Sequence, residues 1–211
     1  MGKSKCNNDS ECDVALELVE HRSDLRVQLV IDQFEEAEAY RKLDDFFENE
    51  ERLLDLMQVL GIHDEAVLER FLSHGFTAQT APAIEMIPIV FAAWASNEVT
   101  DEESAAAITA IFNSELPEFP KTFAVVQSWL DNRPAAELWD LWFDYTACRL
   151  RSFSMEQRVG RYMRVIGQVR QVARASGGWL GIGSVCKEER RIIDQIDVLF
   201  QCSFTVGAVS G

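Results

Sequence analysis

The sequence has no hydrophobic run that could cross a membrane. The longest, residues 86–95, is interrupted by Pro88, and a spanning helix needs roughly 18 apolar residues. Residues 1–13 hold no apolar stretch, so no secretory leader is expected there. Positive charge is scarce. Twenty Lys and Arg face 35 Asp and Glu, giving a formal net charge of −15. That balance argues against a nucleic-acid binder working through phosphate contacts. It leaves basic or cationic groups as the partners that the overall field favours. Cysteine is equally uninformative as chemistry. There are five, with no CxxC pair, and all three histidines lie before residue 75, so no Cys–His zinc pattern exists. Unpaired thiols of this kind predict a reducing, cytoplasmic setting and inert, buried side chains. No stretch alternates with period two between turn signals, so no strand is predicted. No Glu-x-x-His pair marks a di-iron bundle. The GxxGxG spacing at residues 178–183 follows no strand, so it reads as a turn and not as a phosphate loop. No cofactor is predicted, a divalent cation excepted.

What remains is helical periodicity. The pattern is clearest at residues 88–112. Pro88 suits a first helical turn, and the apolar run after it stops at Ser96-Asn97, two turn-forming residues. Thr100 and Glu103 then make the Thr-x-x-Glu capping box, in which each side chain satisfies the other's orphan backbone N–H. Asp101 and Glu102 fall where the helix dipole favours negative charge. Ala105, Ile108, Ile111 and Phe112 supply the expected apolar stripe. Earlier in the chain, residues 32–55 carry ten acids against Arg41, Lys42 and Arg52. Leu53, Leu54, Met57 and Leu60 give that stretch an apolar face, and Gly61 ends it. Asp64 to Leu72 makes a short helix closed by Gly75. Later, Pro134 is expected to open a helix with Leu138, Leu141, Trp142, Tyr145 and Cys148 on one face. Ser154 caps the next helix, with Gln157 at the capping-box position. Val159, Met163, Ile166, Val169 and Ala173 are its predicted buried face.

Together these patterns predict an all-α fold, a compact bundle of about eight helices built from two related helical units. Residues 179–200 look like a second, weaker copy of the turn-into-helix pattern at 88–112, with Glu189 three residues after Cys186 as Glu103 stands after Thr100. The expected divisions are a tail at residues 1–12, an acidic helical arm at 13–79, a helical core at 80–202 and a tail at 203–211.

Two groups of charged residues are candidate sites. Glu98, Asp101, Glu102 and Glu103 could supply oxygens to Ca²⁺ or Mg²⁺, which need several that converge. Capping and dipole pairing account for the same residues without a metal. The second group lies in residues 149–174, which hold seven Arg and one Glu. Arg158, Arg161 and Arg164, three apart, form a ridge beside the apolar stripe and are the candidate partner-binding residues. The acidic arm could dock on this helix, because arginine forks pair with carboxylates. Two separately solvated faces are the other reading.

The run Ala-Trp-Ala at residues 93–95, a turn, and then Val99 and Glu103 resembles the tellurite-resistance TerB-like helical family. The stretch GGWLGIGSVCKEERRIIDQI, residues 177–196, is similar to the Gly-rich turn and last helix of bacterial proteins grouped with that family. The resemblance covers roughly residues 56–200. It implies a cytoplasmic, stress-linked protein that acts by binding other proteins and has no established chemistry. It also implies a metal site at the turn, but the family's Asp-Gly is Ser96-Asn97 here, which loses a carboxylate. The functional expectation is therefore a non-enzymatic protein-binding role. The alternative is a metal-binding protein or metal-dependent hydrolase using residues 98–103.

Overall fold

Short hydrogen-bonded motifs set where the helices begin and end. In the computed structural model of the protein, the residues described are 36–39, 41–42, 47–114, 120–175 and 187–206. Among them all regular structure is helical, as the periodicity predicts, and there is no strand. None of these helices is long and apolar enough to cross a membrane. The chain forms two compact units, residues 1–50 and 51–211. In the first unit, residues 36–39, 41–42 and 47–50 are helical and exposed. Lys42 pairs there with Glu38, one turn away, at 2.8 Å. The tail expected at 1–12 and the first part of the acidic arm lie outside the described residues.

The second unit opens with α1, residues 51–60. Gly61 ends it with φ 60°, and its N–H donates to the Met57 carbonyl at 2.9 Å. A positive φ of this kind suits a residue with no Cβ. In α2, Glu65–Ser73, the Asp64 carboxylate accepts from the Val67 N–H at 3.3 Å. Gly75 at φ 76° closes the helix, with Phe76 N–H donating to Phe71 O and Gly75 N–H to Leu72 O. These two bonds are the Schellman pair. A 3₁₀ stretch, Ala81–Met86, feeds α3, Ile87–Ala93. A second 3₁₀ turn, Trp94–Ser96, ends at Asn97 in the left-handed region. Then come α4 (Asp101–Phe112), α5 (Pro120–Asp131), α6 (Glu137–Ser152), α7 (Met155–Ala175) and α8 (Lys187–Val206). Gln157 N–H donates to Ser154 Oγ, and Ser154 N–H to Gln157 Oε1, at the start of α7. This is the capping box that the sequence predicts.

The core is organised around α3. Six of its seven residues are buried, as suits a helix that is apolar on every side. Ile87 and Ala92 join a cluster with Leu56, Phe71, Trp142, Ile166 and Phe200. Ile89, Val90 and Ala93 join a second cluster with Ala107, Ile111, Val126, Leu130 and Val172. α7 packs against α3, α4 and α8.

Several expectations are corrected. Residues 51–79 are part of the core unit rather than of an acidic arm. Leu56, Leu60, Val67, Leu68, Phe71 and Phe76 share one cluster with Trp142 and Phe200. Acidity marked only their solvent face. Residues 203–206 continue α8, with Ser203 and Phe204 half-buried, so no tail starts at 203. In α4 the buried face is Glu103, Ala107, Ala110 and Ile111. The capping box turns Glu103 inward, and Ala105 and Phe112 then point outward. Phe112 covers itself with Phe123, ring to ring at 5.7 Å. In α7 the buried set is Val165, Ile166, Val169, Val172 and Ala173. Tyr162 continues it toward the N-terminus by donating to Asp197 at 2.8 Å, so Val159 and Met163 stay exposed. α6 starts at Glu137, three residues after Pro134. The repeat relation expected at 179–200 turns on residues 176–186, which lie outside the described residues.

Candidate functional site

The acidic group at the α4 turn is spent on structure. Glu103 is buried, and its Oε2 accepts from Thr100 N–H at 2.8 Å and from Thr100 Oγ1 at 3.0 Å. Its own N–H donates to Thr100 Oγ1 at 3.2 Å. Asp101 and Glu102 are exposed in the first turn of α4, and Glu98 is exposed before it. The turn is held by Ser96 Oγ donating to Glu98 O, and by Arg133 donating to Asn97 Oδ1 at 2.7 Å. Among the described residues, no three His, Cys, Asp or Glu side chains stand together in a group that could hold a metal.

The three arginines of α7 have separate fates. Arg158 faces its own chain, donating to Phe153 O and to Ser203 O at the end of α8. Arg161 is only 18% exposed and pairs with Glu85 of the 3₁₀ stretch. Arg164 is exposed. Only Arg161 and Arg164 line a common cleft, of about 460 Å³. Its walls are the end of α1, the 3₁₀ stretch, α6 and α7.

Helical spacing builds the α7 wall. Gln157, Arg161, Arg164 and Gln168 recur at steps of four, three and four, so they share one flank. All four line the cleft, with Gly160 among them. A Cβ at Gly160 would meet no heavy atom within 4 Å. The glycine leaves room in the cleft, and no neighbour crowds it. From α6 come Tyr145 and Arg149. The Tyr145 hydroxyl donates to Glu85 Oε1 at 2.7 Å, while Arg161 holds Oε2. Arg149 donates to Gly61 O at 3.2 Å, and its guanidinium lies 4.9 Å from the Phe153 ring centre. Both tethers fix its position before any ligand arrives.

The electrostatics follow from the count. Among the described residues, three arginines and one glutamate line the cleft, so these side chains carry 3 − 1 = +2 on a chain of net −15. Burial pushes the Tyr145 phenol up to about 12, against the pull of Arg149. Burial first, and then the like charge of Arg164, lower Arg161 to about 10. It is still charged near neutral pH. Such a cleft attracts oxyanions through charge-assisted hydrogen bonds.

Glu85, Tyr145, Arg149, Gln157, Gly160 and Gln168 were not candidate site residues on sequence grounds. One signal was available for Glu85. It is the lone charge in the apolar run of residues 81–95, and a charge in such a run is buried only with a partner. The rest are brought together by the packing of α6 on α7.

Neither a family model, nor a curated protein, nor a solved structure matches this chain.

Proposed function

We propose that this is a non-enzymatic cytoplasmic binding protein that holds an acidic segment of a partner protein in the arginine cleft beside α7. One observation carries the reading: on a strongly acidic chain, three arginines converge on a cleft where, among the described residues, a single carboxylate answers them. Arg164 has no ion pair or hydrogen bond among the described residues, so it is the arginine with capacity to spare. Net charge does not forbid an acidic partner. At about 0.15 M salt, fields are screened beyond ~8 Å, whereas contacts made inside the cleft are not. The stress-linked role implied by the TerB-like resemblance belongs to the same proposal. Loss of the gene should then lower growth on tellurite.

The binding test uses fluorescein-labelled hexaglutamate and measures its anisotropy with the whole protein at about 0.15 M salt. The proposal predicts saturable binding, at least about tenfold weaker in Arg164→Glu, whereas any association of labelled hexalysine with this acidic chain should not weaken in that variant. Equal binding by wild type and Arg164→Glu would remove the cleft from the proposal.

A further inference from the structure

The partner segment is one ligand that such a cleft can hold. Its dimensions point to a narrower recognition unit. About 460 Å³ is too small for a folded surface element, but it falls within the roughly 300–1,000 Å³ of small-molecule sites. The polar groups are gathered on two helices, α6 and α7. Gln157 spends its carbonyl oxygen on the Ser154 N–H, and an amide that accepts through oxygen still carries its NH₂ donors. Arg149 and Arg161 are tethered, so little side-chain entropy is lost when a ligand meets them. Arg164 and Arg161 sit three residues apart on one flank and repel each other. An anion between them removes that repulsion.

We infer that the cleft is a single-site pocket for a small oxyanion, a carboxylate or phosphate group held by Arg164 and Arg161 with the Gln157 amide beside them and Gly160 leaving the space for it. Glu85 does not fill this role. Its two oxygens are taken by Tyr145 and Arg161, so it orients Arg161, and among the described residues no carboxylate pairs with Arg164. The inference rests on the binding role proposed above and narrows it to one anionic group per site.

Two oxyanions separate the sources of this chemistry: citrate for carboxylates and inorganic phosphate for phosphoryl groups. Each is titrated into the whole protein and followed by calorimetry and backbone amide NMR. Four proteins are compared: wild type, Arg164→Gln, Gly160→Leu and Arg170→Gln. The Cβ of Gly160→Leu would meet no heavy atom within 4 Å, so the side chain has open space to enter, and leucine is the better helix former, so the variant's melting point should not fall. Arg170→Gln removes an exposed charge from the same helix outside the cleft. At least one anion should bind wild type with one-to-one stoichiometry. Binding should weaken about tenfold in Arg164→Gln, the loss of one charge-assisted contact. It should vanish in Gly160→Leu and stay within about twofold in Arg170→Gln. Three results overturn the inference: no saturable binding of either anion, undiminished binding in Gly160→Leu, or an equal loss in Arg170→Gln. If hexaglutamate binds through Arg164 while neither small anion does, the pocket fails and the acidic-partner reading stands. If hexaglutamate also fails, both fall.

Discussion

Changing Glu85 to Gln perturbs the pair on which the cleft depends. The substitution keeps the shape of the side chain and an oxygen for the Tyr145 hydroxyl. It removes the negative charge facing Arg161. The side chains of Arg161 and Glu85 are 18% and 20% exposed. Breaking a fully buried pair costs about 3–5 kcal/mol, and exposed pairs are worth about 0–1 kcal/mol. At one-fifth exposure the pair lies nearer the buried limit, and a loss of about 2–3 kcal/mol is expected. For a chain of this size each kcal/mol moves the melting temperature by roughly 2–4 °C, so the drop should be about 4–12 °C. Urea and thermal unfolding at neutral pH measure both. The double change Glu85→Gln with Arg161→Met removes both charges, keeps an acceptor for the Tyr145 hydroxyl, and should return to within about 1 kcal/mol of wild type, because no charge is left to desolvate. Glu85→Gln should also tighten citrate binding, since the cleft charge rises from +2 to +3. A stability loss under about 0.5 kcal/mol, or a double variant as unstable as the single one, would refute this account of the pair.

Trp142 is fully buried beside Trp139, with ring centres 5.1 Å apart, so Trp142→Ala should cost about 3–5 kcal/mol in denaturant unfolding. Trp142→Phe should cost much less, because it removes an indole N–H that has no hydrogen-bond partner among the described residues. Thr100→Ala should cost about 1 kcal/mol through the capping box alone, read as a melting shift of roughly 2–4 °C. Burial keeps Tyr145 neutral, so its contribution to stability is whole below its unfolded pKa of about 10 and is lost as pH rises toward about 12. Arg161, lowered to about 10, acts with the opposite sign over the same range. Phenolate absorbance is therefore the assay, and Tyr145→Phe should delete the step near 12.

Local signals were legible in the sequence and orientation was not. The capping boxes at Thr100 and Ser154, and the glycine stops at Gly61 and Gly75, need only a few neighbouring residues, and each occurs where expected. The buried faces of α4 and α7 were read partly off register, because the choice among adjacent apolar residues is made by partners distant in sequence. Tyr162 finds Asp197, and this leaves Met163 outside. The domain boundary was misplaced for a related reason. Charge describes the solvent side of residues 51–79, whereas Leu56 and Phe71 decide where they pack. Among the site residues, Arg161 and Arg164 were read from the run of basic residues. Glu85 and Arg149 reach them across 76 and 12 residues of chain, counted to Arg161. Spacing along one helix carries no information about such partners.

Anionic ligands are proposed to enter the cleft beside α7 at Arg164. Their entry there is tested most directly by the NMR signals of the arginine side-chain Nε–H groups during titration with hexaglutamate. The account predicts saturable shifts at Arg164, Arg161 and Arg149, with Gly160 and Gln168 amides moving in step and Arg170 and Arg174 unmoved. Shifts of equal size at Arg170 and Arg174, or none at Arg164, would contradict it.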